Sequence, residues 1–353
     1  VIDIHYRLKA LSEAGLRIDL HIWHKGEKPD PAFLLNFAES VHFYPRKKPW
    51  QISRFALPFI VSSRQSTLLA ERISGGNTPI WCEGIHTTGV LNQIPNLSNR
   101  KVFLRAHNIE QVYYGELAKR SHNLLEKAYY KFESDRLKIY EEGIFPLFNK
   151  IFAISPVEQI QIEKLNPQTE WLPAFVQYRP QKIRQLPKPD AQDFKILFHG
   201  NFEIQENRLG AQALIRFIKK YSLPGCGLVL AGKGLDSAGL DGLGIEMYSD
   251  PTWMDSILDG VDLVLLPGTQ LSGVKIKLLE SLAAGKRVIC SPQTAMGSGL
   301  ESKLISYTSE EELYHLVQQA SQGKLDSQFI EGLALFHELY NPQKGVKQIV
   351  ELL

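Results

Sequence analysis

The sequence predicts an α/β protein built from two doubly wound, Rossmann-like domains facing a cleft. Three observations carry this expectation. Apolar strand-length runs alternate with amphipathic helical stretches through the whole chain, the pattern of parallel sheets wrapped by helices. The 353 residues exceed what one hydrophobic core usually serves. Near the middle lies RPQKIRQLPKPDAQD, a polar segment stiffened by Pro180, Pro187 and Pro189. Domains are therefore expected at 1–178 and 194–335, joined by a linker at 179–193, with a closing helical segment at 336–353 that packs back toward the first domain.

Residues 1–14 read as a helix, with Ile4, Leu8 and Leu11 on one side and Gly15 closing it. A helix feeding directly into a strand, here 16–23, ordinarily has a strand before it, so the first strand of this domain is expected to be missing from the numbering. Further strands are expected at 41–44, 79–82, 101–105 and 151–154, with helices at 65–74 and, much longer, 110–142. The second half repeats the theme with strands at 195–198, 228–231, 245–248, 263–266, 287–290 and 304–307. Its helix at 209–221 turns Leu214, Phe217, Ile218 and Tyr221 to one side. Another opens near Gly273, shows Val274, Leu278, Leu279 and Leu282 on one face, and ends with Gly285 in the C′ position.

Composition bounds the function. Hydrophobic residues make up 44% and the formal net charge is +2, which describes an ordinary globular chain and is too little positive charge for nucleic-acid recognition. Charge is uneven: residues 1–180 carry 23 Lys+Arg against 18 Asp+Glu, the remainder 17 against 20. Cys82, Cys226 and Cys290 sit in apolar surroundings without metal-ligand spacing, which reads as reduced thiols of a cytoplasmic protein. No apolar run reaches the roughly 20 residues of a membrane span.

Some motifs tempt and fail. Gly227–Gly234 (GLVLAGKG) approaches a phosphate-binding loop, but its middle is the apolar run Leu228–Ala231, which has to be a strand. No Asp-x-Asp and no His/Cys cluster occurs, so no metal is expected. Ser155 before Pro156 reads as a helix cap, since no G-x-S-x-G surrounds it.

Ligands of open α/β sheets bind beyond the carboxyl ends of strands, which singles out several loops. His107 and Asn108 follow the strand ending at Arg105; a plainer reading makes Asn108 the cap of the next helix. His86 lies in the loop after Cys82. Gly200-Asn201 and Gly232-Lys233-Gly234 follow apolar strands, and small residues there let backbone amides approach an anion at a helix N-terminus. Glu280 is the one acid beyond the loop of the strand–loop–helix–strand unit at 262–292, where its plainest role is an ion pair with Lys277.

Six segments taken together resemble the retaining family 4 of GT-B glycosyltransferases. They are RAHNIE (Arg105–Glu110), FAISPVE (Phe152–Glu158), FHGN (Phe198–Asn201), LVLAGKG (Leu228–Gly234), DLVLLPGTQLSGVKIKLLESLAAGKRVICSP (Asp262–Pro292) and MGSGL (Met296–Leu300). The resemblance implies a sugar moved from a nucleotide diphosphate sugar, as co-substrate, to a glycan or lipid-linked acceptor, with no cofactor and no metal. It places the donor in the second domain and the acceptor at the first. Glu280 falls on the family's second acid, which accepts both ribose hydroxyls. Gly273 and Val274 fall on the loop whose amides meet the diphosphate and sugar, and His107 on the histidine that positions the reacting pair. His86 and Asn108 become acceptor-side candidates.

Three positions depart from the family pattern. Ser272 stands where the first acid is expected, Asn201 where a basic residue is common, and Lys275 where glycine is common. Lys275, together with Lys233, is the expected source of positive charge for the leaving diphosphate. Two other readings stay open: a sugar-nucleotide epimerase, and a non-catalytic nucleotide-sugar or glycan-binding relative.

One stretch, 45–64, carries Arg46, Lys47, Lys48, Arg54 and Arg64 with no acid, interleaved with Trp50, Phe55 and Phe59. It fits peripheral contact with an anionic membrane, and equally an internal helix beside a basic acceptor groove.

Overall fold

The computed structural model describes residues 2–52, 57–179, 186–223, 225–236, 245–268 and 273–353. Ser272, Arg54, Phe55 and Pro180, all singled out above, lie outside the described residues, as does 180–185 of the expected linker. Two compact units emerge: Asp3–Pro173 with Pro342–Leu353, and Ala174–Asn341.

Among the described residues the N-terminal unit holds six strands: β1 (Asp19–His24), β2 (Ser40–Pro45), β3 (Ile80–Glu83), β4 (Val102–Ala106), β5 (Lys150–Ala153) and β6 (Thr169–Trp171). They form two parallel sheets, β1-β2 and β3-β4-β5-β6. Strand β4 is buried at every position, as expected of a strand covered on both faces. Around it Leu104, Ile151 and Ala153 pack with Ile144, Phe145 and Phe148. The last helix, Pro342–Val350, belongs to this unit. The side chain of Lys101 holds the carbonyl of Leu352 at 2.7 Å.

One expectation here is corrected. The long helix at 110–142 is two helices, Glu110–Arg120 and Leu124–Ile144. Asn123 breaks it: its side chain accepts from Leu125 N at 2.9 Å and Glu126 N at 3.4 Å, starting a second helix. Asn108 does not cap the first of them. The buried Glu141 does, accepting from Glu110 N at 2.7 Å. Ser155, in contrast, is the expected cap, accepting from Val157 N at 3.1 Å.

The C-terminal unit holds β7 (Phe194–His199), β8 (Cys226–Gly232), β9 (Ile245–Ser249), β10 (Leu263–Leu266), β11 (Arg287–Cys290) and β12 (Ile305–Ser306). All pair in parallel, in the order β12-β11-β10-β7-β8-β9. Counted within the unit this is 3-2-1-4-5-6 read from the β9 edge, the doubly wound dinucleotide-fold order. The direction in which successive strands are added therefore reverses between β7 and β10. At such a switch point a doubly wound sheet offers a crevice beyond the carboxyl ends of its strands. Helix Gln205–Tyr221 buries Ala211, Leu214, Ile215 and Phe217. Ile218 and Tyr221 stay partly exposed. The apolar run 228–231 is strand β8, which removes the phosphate-loop reading of GLVLAGKG.

Candidate active site

The switch point between β7 and β10 gathers most of the sequence candidates. After β7 the chain turns through Gly200-Asn201, and after β8 through Gly232-Lys233-Gly234. These loops lie backbone against backbone: a Cβ on Gly232 would sit 1.8 Å from the Gly200 carbonyl oxygen. Only glycine permits that approach. Gly200 N donates to Ala231 O at 3.1 Å and Phe202 N to Lys233 O at 2.8 Å, so the two loops move as one.

From the β10 side, helix Ile276–Ala283 buries Leu278, Leu279, Ser281 and Leu282. It begins at Ile276 rather than near Gly273, because Gly273 has φ 67° and Lys275 an extended backbone. It closes as expected at Gly285, where Lys286 N reaches Ser281 O at 3.1 Å and Gly285 N reaches Leu282 O at 2.9 Å, a Schellman motif. Its attachment to β7 is direct: the buried ring of His199 shares a 3.0 Å hydrogen bond with Ser281 Oγ. Burial and nearby Lys277 push the His199 pKa down to about 4, so the ring is neutral.

Glu280 makes no ion pair with Lys277. Lys277 Nζ donates instead to Asn207 Oδ1 at 2.9 Å, and Asn207 Nδ2 donates to Asn201 O at 2.7 Å. The ammonium also lies 4.7 Å from the centroid of the Phe198 ring. Burial lowers its pKa to about 8, with Lys275 adding repulsion. A desolvated cation thus bridges the β7 loop and the β10 helix. Sequence reasoning missed this role, because Lys277 looked like a surface ion-pair partner. The available signal was a lysine within an otherwise apolar helix.

The carboxylate of Glu280, one turn beyond, has no hydrogen-bond or ion-pair partner among the described residues. Burial, with repulsion from Asp255, raises its pKa to about 7. An unpaired, desolvated carboxylate costs stability unless a ligand supplies donors.

Other candidates fare differently. Lys275 folds its Nζ onto Gly273 O at 3.0 Å, beside the loop assigned to the diphosphate. Lys233 is 62% exposed and pairs with Glu203 at 2.9 Å, so its charge is already matched. Asn201 Oδ1 accepts from Glu203 N at 2.9 Å and closes the turn after β7. Gly268 N donates to Ser291 Oγ at 3.0 Å, which ties the base of the β10 loop to the next helix.

In the N-terminal unit, His107 follows β4 and bonds Glu83 at the end of β3, Nε2 to Oε1, at 2.5 Å. Burial alone would raise the Glu83 pKa, but Arg7 and His107 outweigh it and hold the carboxyl down to about 2. Glu83 is therefore an acceptor. Nε2 therefore carries a proton and donates to Glu83. Glu83 also accepts from Trp81 Nε1 at 3.0 Å and from Arg7. Arg7 in turn bonds Asp3 at 2.9 Å, and Arg105 bonds Asp3 at 3.1 Å. Atoms of Asp3, Glu83 and His107 lie within 4.8 Å of one another, a grouping with metal-ligand chemistry. The two carboxylates are already neutralised by two guanidiniums, so a divalent cation does not fit there. His86 lies in a 3-10 helix at Ile85–Gln93 rather than an open loop. Asn108 is partly buried and its side chain makes no hydrogen bond among the described residues.

Comparison with known proteins places this geometry. No family model matches the chain. A curated relative from Klebsiella pneumoniae, described as an uncharacterized 44.6 kDa protein in the cps region, is 26% identical over 322 residues, 84% of this chain and 80% of its own. Among solved structures, HepE of Anabaena in complex with UDP superposes with a TM-score of 0.64 at 13% identity, covering 98% of this chain and 95% of that one. WaaG, a glycosyltransferase involved in lipopolysaccharide biosynthesis, gives 0.61 at 16% identity, with 98% and 95% covered. TarM gives 0.57 at 13% identity over 81% of this chain, which spans 57% of TarM's length. The chain has the GT-B glycosyltransferase fold.

Proposed function

We propose that the protein is a glycosyltransferase that takes a sugar from a nucleotide diphosphate sugar and passes it to a glycan or lipid-linked acceptor. The observation that carries this reading is the neighbouring of Lys277 and Glu280, without an ion pair between them, at the β7/β10 switch point. It puts a desolvated cation and a partnerless carboxylate one helical turn apart, in a unit with the dinucleotide-fold strand order. Glu280 suits two adjacent ribose hydroxyls, since one carboxylate accepts both hydrogen bonds. Lys277, Lys275 and the amides around Gly200 and Gly273 suit a diphosphate. UDP bound to a similarly folded protein supports the class of ligand.

In the reaction the bond from the anomeric carbon to the β-phosphate oxygen breaks and a bond to the acceptor hydroxyl oxygen forms. The hydroxyl proton passes to the departing phosphate, and nucleoside diphosphate leaves. Negative charge grows on that leaving group, where fixed amides and lysines lower the barrier without reorganising. We assign transfer with retention, as the resemblance to family 4 implies, and without a metal, because the lysines supply the charge a metal would bring. His107, oriented by the Glu83 carboxylate through Nε2, is assigned as a positioning residue.

Incubation with UDP-, GDP- and ADP-sugars, with and without a prenyl-diphosphate glycan acceptor, tests the proposal. Acceptor-dependent release of one nucleoside diphosphate is expected. Binding of sugar nucleotides with no release from any of them would instead make the protein a non-catalytic relative.

A further inference from the structure

At the carboxyl ends of β2 and β3, the N-terminal unit carries a cluster that the donor chemistry does not use. Arg46 follows β2, Arg64 follows the short helix Phe59–Ser62, and His86 follows β3. The framework under them is rigid. Lys47 N donates to Ser63 O at 2.8 Å, and Arg46 Nη2 donates to Ser63 Oγ at 3.3 Å, tying the β2 exit to the end of that helix. The start of the helix is fastened by the buried Glu133, which accepts from Phe59 N at 2.6 Å. Arg136 bonds both Glu133 and the Leu57 carbonyl. A Cβ on Gly89 would sit 2.9 Å from Val61 Cγ1, so the His86 segment packs tightly on the same helix. The imidazole folds back over Gly84, where a Cβ would lie 2.6 Å from its Cε1.

What this framework displays is unmatched positive charge. Among the described residues neither Arg46 nor Arg64 has an ion-pair partner, and neither ring nitrogen of His86 is bonded. Arg64 Nη1 reaches only the Ile60 carbonyl, at 2.7 Å. Arg46 Nε is shielded from solvent and has no hydrogen-bond partner. Burial lowers the Arg64 pKa to about 10, and Arg46 adds repulsion. Burial and then Arg64 lower His86 to about 3, leaving it neutral and able to donate one hydrogen bond. The acid that faces Arg64 is Glu110, whose pKa burial raises to about 7, so it offsets the arginines only in part at neutral pH. Two guanidiniums with no ion-pair partner among the described residues and only partial counter-charge are costly unless an anion joins them.

We propose that Arg46, Arg64 and His86 form a subsite for a phosphate or diphosphate group, carried by the acceptor. Two positive charges match a doubly charged anion better than a single carboxylate, and guanidinium forks match phosphate oxygens two at a time. That the anion belongs to an acceptor rests on the glycosyltransferase reading; that it binds at these residues does not.

The test is calorimetric titration of the full chain with inorganic pyrophosphate while UDP is held at saturation. It is repeated with Arg46→Gln/Arg64→Gln. The wild type should bind pyrophosphate, and the double variant should bind it at least about tenfold more weakly, with UDP affinity unchanged. If the double variant does not fold, Arg46→Gln alone serves, with a loss of several-fold expected. Absence of pyrophosphate binding to the wild type at millimolar concentration overturns the proposal. So does binding that the arginine changes leave intact, and so does glucuronate binding as tightly as pyrophosphate. Failure of UDP, GDP and ADP alike to bind, with arginine-dependent pyrophosphate binding preserved, would sink the donor reading and leave this subsite standing. Farnesyl diphosphate binding much more tightly than pyrophosphate would identify a lipid-borne diphosphate; equal binding would identify the phosphate group alone, and either outcome supports the subsite.

Discussion

Glu280 sets the chemistry at the scale of single residues. Its carboxyl titrates near 7 in the folded chain because burial disfavours the charge. Ribose hydroxyls bond best to the ionised form, so affinity for the bare nucleoside, which does not meet Lys277, should rise between pH 6 and pH 8 and flatten in Glu280→Gln. That variant should also bind about 10- to 100-fold more weakly at pH 8, the worth of hydrogen bonds to a charged acceptor. Stability should move the other way. The folded pKa lies above the ordinary carboxyl value of 4.5, so the folded state binds more protons and loses stability as pH climbs from about 4.5 through 7. Glu280→Gln should therefore melt higher than wild type at pH 8 and level with it near pH 5. Lys277→Met should weaken binding of a nucleoside diphosphate but not of the bare nucleoside, as calorimetry on the pair would reveal.

Elements explain why some of this was legible in the chain and some was not. Strands 263–266 and 287–290 were read to the residue because they are buried on both faces and bounded by Pro267-Gly268 and Gly285. The helix between them was placed three residues early. Its start is set by the positive φ of Gly273, which amphipathic spacing does not encode. The break at Asn123 escaped for a similar reason: helical periodicity continues across it, and only the side-chain cap ends one helix and begins the next. Asn123→Ala should cost about 1 kcal/mol, measurable by denaturant unfolding. Glu280 was visible from its motif, whereas the Lys277–Asn207 bond spans 70 residues and no local pattern could supply it. The contact between Gly200 and Gly232 is of the same long-range kind. Gly232→Ala should destabilise by about 2–4 kcal/mol, since the new methyl meets a backbone oxygen rather than a side chain that can move.

Across the whole molecule, each unit carries its own electrostatic logic. The N-terminal unit is pinned by Asp3, Arg7, Glu83 and Arg105, in which Glu83 is held down to about 2. That stability is fully present above the ordinary carboxyl value and lost as pH falls toward 2. Acid unfolding followed by tyrosine and tryptophan fluorescence should therefore show a transition between about pH 4 and 2 that Glu83→Gln shifts upward. The C-terminal unit instead keeps Glu280 without a counter-charge, and its switch point is where a nucleoside diphosphate is assigned. Among the described residues no helix is long and apolar enough to cross a membrane. Trp50, 77% exposed beside Lys48, remains the feature of 45–64 best suited to a lipid surface.

Amide hydrogen exchange of the full chain, with and without UDP, GDP or ADP, tests the assignment of the donor to this unit most directly. One of the three should slow exchange in residues 200–203, 232–234 and 273–280, with the protection lost in Glu280→Gln. No slowing with any of them, or slowing confined to the N-terminal unit, would contradict it.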